Sequence, residues 1–279
     1  MHHRLSRRSF LQGAGASIGA LGLPALAEAA QGTPVRGGTP LSLWNDTPVR
    51  TALLDFVSIT TTEGDPGYLE PVDRIAVFDN DGTLWCEQPA YVQLAFALQQ
   101  MKELFIQHPE WANEEPFASA LAGDLDALIS QGDYAALTMM STSPAGISTE
   151  EYIANVADWL ATARHPELDR LYTELVYSPM VQLLGYLRDN GFQTWIVSGG
   201  GQEFIRAFSE PAYGIPLDQI VGSIVETEFS LLDDVPTVVR TGKISFICDG
   251  PGKPVGIARA IGRRPVLAFG NSDGDYEML

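Results

Sequence analysis

Hydrophobic and polar positions change rhythm along the chain, and each change predicts a different kind of structure. A Gly-, Pro- and Thr-rich connector runs to about Pro48, after which VRTALLDFV repeats apolar residues at helical spacing. RIAVFD (74–79) is a compact β-prone run between Pro71 and NDG, which predicts a buried strand. From Pro89, YVQLAFALQQMKELF returns to the helical period, and further helices are expected around 116–130, 148–163 and 167–176. Ser148 and Glu151 have the spacing of a capping box. Strand–helix alternation begins at Ser178, with Ser178-Pro179 opening a helix that Gly191 closes. Next come the strand FQTWIVS, the glycine turn and helix GGGQEFIRAF, and two strands, QIVGSIVETEF and TVVRTGKISFI, expected to form a hairpin at Asp233-Asp234. The helix KPVGIARAIG, the buried strand PVLAFG and the loop NSDGDYEML end the chain.

This order predicts an α/β fold in three layers, a parallel sheet covered by helices on both faces. The core is expected in residues 31–88 and 178–279, with an all-helical insertion at 89–177. Ligands of such sheets bind beyond the carboxyl ends of the strands. The three most apolar strands are followed by Asp79 and Asp81, by Ser198 and Gly199, and by Asn271, Asp273 and Asp275. All of these are expected at one edge.

The formal net charge of −18 argues against nucleic acid or an anionic membrane as a partner, while leaving room for a small anion in a local positive pocket. Cys86 and Cys248 are too few for a disulfide framework, and the sequence leaves their pairing open. The N-terminal stretch SRRSFLQGAGASIGALGLPALAEAA sets Arg7 and Arg8 before a mildly apolar segment. It ends in small residues, Ala25-Leu26-Ala27 or Ala27-Glu28-Ala29, that suit a signal peptidase. Residues 1–30 resemble a twin-arginine export signal, which implies a transient encounter with export machinery and a periplasmic or secreted protein. The apolar run is too short and glycine-rich for a membrane span, so no stable insertion is expected once the signal is removed.

Two carboxylates, Asp79 and Asp81, at the end of a buried strand are electrostatically costly, and a metal–phosphate site accounts for them. A carboxylate can attack phosphorus and form an aspartyl-phosphate. A second acid can protonate the leaving oxygen and later deprotonate water. Magnesium would offset the repulsion between the carboxylates and screen an anionic substrate. The Ser198 hydroxyl and the glycine amides after it suit phosphate oxygens, and a lysine is needed to balance the transferred group.

Four motifs in order, DNDGT (79–83), VSGGG (197–201), Lys253 in GKPVGI and GNSDGD (270–275), resemble those of the haloacid-dehalogenase-like superfamily of phosphohydrolases. The resemblance runs from about residue 70 to the end, and the helical insertion resembles the cap of the phosphoserine-phosphatase-like branch. It implies a Rossmann-like core and a Mg2+-dependent phosphomonoesterase that acts on a small organic phosphate. Asp79 would be the nucleophile and a metal ligand, and Asp81 the general acid/base whose carbonyl also binds metal. Ser198, Gly199 and Thr83 would bind phosphate, and Lys253 would orient the reacting groups, with Lys243 as its rival. Asp81 argues against a dehalogenase. Asn271 stands where the family usually has Asp, which implies weaker metal binding, with Asp273 or Asp275 compensating and Asp275 favoured as a water-mediated or outer partner. Gln88, with Glu87 one place off, stands where phosphoserine phosphatases carry Glu, which puts phosphoserine in doubt. Family members continue past the fourth motif, so a truncated C-terminal end is expected at Leu279.

Each residue also has a plainer reading. NDG is good turn chemistry, SGGG a flexible turn, Lys253 a surface lysine, and 271–275 a solvated or calcium-type loop. Trp85 and Trp195 read as packing residues, although Trp85 and Cys86 are close enough to the nucleophile to reach the pocket mouth. His108 and His165 precede prolines and are assigned no chemistry. Two functional alternatives remain beside hydrolysis: phosphotransfer to an acceptor alcohol, and a catalytically idle phosphate- or metal-binding protein.

Overall fold

The computed structural model describes residues 39–131, 138–139 and 146–279, so the export signal expected at residues 1–30 lies outside the described residues. Helix α1 (Pro48–Thr61) leads into strand β1 (Ile75–Phe78). The chain then leaves the sheet for the helices α2 (Val92–Leu104), α3 (Phe117–Ala122), α4 (Leu125–Ser130) and α5 (Thr149–Leu160). It returns through α6 (Ser178–Asp189) to β2 (Gln193–Gly201), followed by the short helices α7 (Gln202–Arg206) and α8 (Ser209–Tyr213). Strands β3 (Ile220–Leu232) and β4 (Val235–Phe246), helix α9 (Gly252–Ala260) and strand β5 (Leu267–Phe269) follow.

The five strands lie in the order β4-β3-β2-β1-β5. β1, β2, β3 and β5 are parallel, but β4 runs antiparallel to β3. The expected parallel sheet is therefore mixed. The cause is the two-residue connection: Asp233 and Asp234 both have positive φ (50° and 64°), the geometry of a tight hairpin, and such a turn can only bring the chain back antiparallel.

Side chains alternate across β1 as the pleat requires. Ala76 and Phe78 join the largest core, with residues of α1, α6, α7 and α8. Ile75 and Val77 face the other way and pack with Val197, Val221, Cys248 and Ile257 of α9. These two cores are the faces of a three-layer arrangement. The insertion adds an apolar cluster of its own, in which Leu94, Ala97 and Met101 of α2 meet Trp111, Phe117 and Leu128.

Where the chain leaves and re-enters the sheet, its two connecting segments lie side by side. The Cys86 N–H donates to the Leu175 carbonyl (3.0 Å), and the Tyr177 N–H donates to Leu84 (2.8 Å). The helix expected over 167–176 does not form: only a short 3-10 turn, Tyr172–Glu174, occurs there. His165 Nδ1 accepts the N–H groups of Glu167 and Leu168, which diverts them from a helical ladder, and Asp169 takes a positive φ of 49°.

Candidate active site

Sheet register positions the chemistry. Phe78 is level with Ile196 on one neighbour and Phe269 on the other, so the residues that follow all three emerge at the same edge. The Asp79 N–H still donates to the Phe269 carbonyl (2.9 Å), which holds the aspartate at the mouth of the strand. The loop then turns on Asn80, whose carbonyl accepts the N–H groups of Thr83, Leu84 and Trp85. The buried Asn80 side chain accepts the Tyr213 hydroxyl at 3.0 Å. Gly82 has φ +84°, and a β-carbon there would lie 2.3 Å from Asn271 Nδ2. Glycine is therefore required both for the turn and for the approach of the fourth motif.

Lys253, 1 % exposed, is the hub. Its Nζ donates to Asp79 Oδ1 (2.7 Å), to Asp275 Oδ1 (2.5 Å) and to the Val197 carbonyl (3.0 Å). It sits at the start of α9, whereas Lys243, the rival, is exposed on β4. Desolvation would lower the Lys253 pKa, but the two carboxylates outweigh it and hold the ammonium above its ordinary value. Burial pushes the Asp79 carboxyl up to about 7 against the opposing pull of Lys253. Burial also raises Asp81, resisted by a 2.9 Å hydrogen bond that Asp81 Oδ1 accepts from Trp85 Nε1. A carboxyl held toward its neutral form suits a proton donor.

The expected residues gather around a single cavity of about 500 Å³, whose wall includes Asp79, Asp81, Ser198, Gly199, Lys253 and Asn271. Two of the expected residues are held by partners that the sequence does not specify. Thr83, expected on phosphate, is not part of this wall; its hydroxyl donates to Asn271 Oδ1 at 2.8 Å and so orients the amide. Asp275 is fully buried, with both oxygens engaged: one takes Lys253, the other the N–H groups of Asn271 and Ser272 and the Ser272 hydroxyl. It shapes the fourth motif and holds the lysine that touches Asp79, a place consistent with the outer role expected for it. Burial would raise its pKa, yet these donors hold it below the ordinary carboxylate range. Trp85 is buried and stacked on Phe208 at 4.3 Å, which places it in the core and not at the pocket mouth. Cys86 and Cys248 are both free thiols.

Sequence reasoning missed three residues of the cavity wall: Gln93, Asp249 and Tyr91. Gln93 reads as a polar position on an otherwise amphipathic helix, and Asp249 as part of the turn CDGPG. Neither carries a local signal of function. Asp249 Oδ1 packs so closely on the fourth motif that a β-carbon at Gly274 would lie 2.5 Å from it.

Among the described residues, no group of three His, Cys, Asp or Glu side chains is disposed to hold a metal ion unaided. The wall is nonetheless built of hard oxygen donors: the carboxylates of Asp79, Asp81, Asp249 and Asp273 and the amide of Asn271. Such a set fits magnesium, which takes few protein ligands and retains water.

A family model described as haloacid dehalogenase-like hydrolase matches residues 76–279. No curated protein matches the chain. Among solved structures, a conserved protein of unknown function from Anaerococcus prevotii is 16% identical, with a TM-score of 0.51 over 82% of this chain and 81% of that one. This similarity shows a shared fold. A protein of unknown function from Bordetella pertussis is 18% identical, with a TM-score of 0.45 over 67% of this chain and 73% of that one. A phosphoserine phosphohydrolase-like protein from Francisella tularensis is 19% identical, with a TM-score of 0.39 over 74% and 81% of the two chains.

Proposed function

Because the chain belongs to the haloacid dehalogenase-like hydrolases, we propose that it is a magnesium-dependent phosphomonoesterase that hydrolyses a small organic phosphate through an aspartyl-phosphate on Asp79. The observation that carries this reading is the contact of Lys253 with both Asp79 and Asp275 beside the Ser198–Gly199 turn. With the bond from Lys253 to the Val197 carbonyl, it unites all four motifs at a buried nucleophile.

A free Asp79 carboxylate oxygen attacks phosphorus while the bond from phosphorus to the ester oxygen breaks, and Asp81 gives its proton to the departing alkoxide. Asp81, now ionised, takes a proton from water, whose oxygen attacks phosphorus and releases inorganic phosphate, regenerating Asp79. Lys253 fixes the nucleophile and balances charge on the transferred group, and Ser198 and Gly199 receive its oxygens. A magnesium ion held by Asp79, the Asp81 carbonyl and Asn271 would supply the charge that lets a phosphate dianion approach so many carboxylates. The helical insertion acts as a cap that limits water and selects the ester. The twin-arginine signal expected at residues 1–30 would deliver the folded enzyme to the periplasm or beyond.

The test is turnover of a generic aryl phosphate with Mg2+, lost on chelation and in Asp79→Asn. Turnover that survives Asp79→Asn refutes the covalent route. Phosphate binding without turnover would instead favour the idle binder, the reading to which Asn271 lends support. Phosphorylated product on addition of an alcohol would favour transfer.

A further inference from the structure

The turn that would receive phosphate contains three consecutive glycines, Gly199–Gly201, which have no side chains to fix their own backbone. Its shape is held from outside. The Ser223 hydroxyl donates to the Gly199 carbonyl at 2.7 Å, and Ser198 Oγ accepts the Gly200 N–H at 3.1 Å. Both of these holders belong to the sheet. The third does not: the Gly201 N–H donates to Oε1 of Gln93 at 2.8 Å, and Gln93 lies in the first turn of α2, in the helical insertion.

Gln93 is 8 % exposed and forms part of the cavity wall. Its amide fills the space between the turn and the second aspartate. A β-carbon at Gly201 would lie 2.7 Å from Gln93 Nε2, and one at Gly200 would lie 3.3 Å from Gln93 Oε1 and 3.7 Å from Asp81 Oδ2. The Tyr152 hydroxyl of α5 lies against the same amide. The Tyr152 ring in turn carries the Arg240 guanidinium at 3.9 Å, and Arg240 pairs with Glu203 at 3.0 Å. Glu203 is the second residue of α7, two places after the last glycine, so the turn is fastened to the insertion at its end and just beyond it.

We infer that Gln93 is a positioning residue that sets the glycine turn for phosphate, so that the helical insertion contributes to phosphate affinity as well as covering the pocket. This inference rests on the phosphatase reading. It follows from connectivity: the Gly201 N–H is the last backbone donor of the three glycines, and its acceptor belongs to the insertion. An acceptor lost there leaves a half-buried donor unpaired and the glycines free to rotate.

Gln93→Met keeps the length of the side chain and removes the acceptor. Gln93→Asn keeps the amide but is one methylene too short to reach. Both are expected to raise the calorimetric Kd of inorganic phosphate, measured with Mg2+, and the KM of an aryl phosphate together by about tenfold. The two constants should move more than kcat, a split that a loss of packing alone would not produce. A folded variant of either kind with both constants within about twofold of wild type overturns the inference, whatever its melting temperature. The two readings fail separately. Wild type that binds phosphate but turns over no ester refutes the hydrolase and leaves the Gln93 comparison readable by calorimetry. Wild type that does not bind phosphate refutes both.

Discussion

Removing the ammonium of Lys253 is the perturbation with the largest consequence, and its size can be worked out from the contacts. The Nζ lies 2.7 Å from Asp79 Oδ1 and 2.5 Å from Asp275 Oδ1. At an effective dielectric of about 20, each contact is a gross attraction of roughly 6 kcal/mol, most of it cancelled by desolvation. What remains is asymmetric: Lys253→Met leaves two buried carboxylates facing each other, and the expected loss is about 3–5 kcal/mol. For a domain of this size that lowers the melting temperature by roughly 10 °C. The pH dependence identifies the cause. In wild type the Asp275 pKa is held below its unfolded value, so its contribution is present above about pH 4 and fades as pH falls through the folded pKa. In the variant both carboxyls are pushed above their unfolded values, so the folded state keeps protons that the unfolded chain has released. The deficit should therefore be greatest near about pH 7.5 and narrow toward about pH 5. Adding Asp275→Asn removes one buried charge and should recover about 1–2 kcal/mol. Urea unfolding at the two pH values is the assay. A variant within about 1 kcal/mol of wild type at the higher pH, or a gap that does not narrow, refutes the hub.

Two further outcomes are expected. Asp79, with its pKa at about 7, must lose its proton to bind magnesium, so Mg2+ affinity read from thermal shifts should rise about tenfold between about pH 6 and 8 and level off above that. An affinity independent of pH over that range would mean that Asp79 is ionised throughout or is not a ligand. Tyr213→Phe removes the buried donor to Asn80 between the two aspartates, and should cost about 1–2 kcal/mol in urea unfolding and lower kcat more than it raises KM. An unchanged kcat would show that the loop keeps its shape without that bond.

The sheet and its edge were readable because each strand carried its own boundary. RIAVFD is closed off by Pro71 and NDG, and the hairpin announced itself through Asp233-Asp234, the two residues that take positive φ. Asp79 and Asn271 stood out because they follow apolar runs and strand ends converge by geometry, whereas Lys253 was picked out only by its place in the set of motifs that carries the family resemblance. What was not readable depends on contacts between distant segments. The apolar spacing of 167–176 is as helical as that of α5, and only the ring of His165, folded back on Glu167 and Leu168, diverts it. Asp275 and Thr83 are near enough to the motifs to be picked out, but which partner each takes is decided by packing: Asp275 holds Lys253, and Thr83 holds Asn271. Gln93 had no signal at all, because its role exists only once α2 lies against the glycine turn.

The paired segments at Cys86 and Tyr177 have a bearing on how this architecture can diversify. Because departure and return are stitched together beside β1, everything between them is a closed excursion whose ends stay fixed whatever its content. Doubling its length would add only about 0.6 kcal/mol of closure entropy, since that cost grows with the logarithm of length. A lineage could therefore exchange one set of helices for another, and with them the ester admitted, while the strands that carry the aspartates kept their alignment.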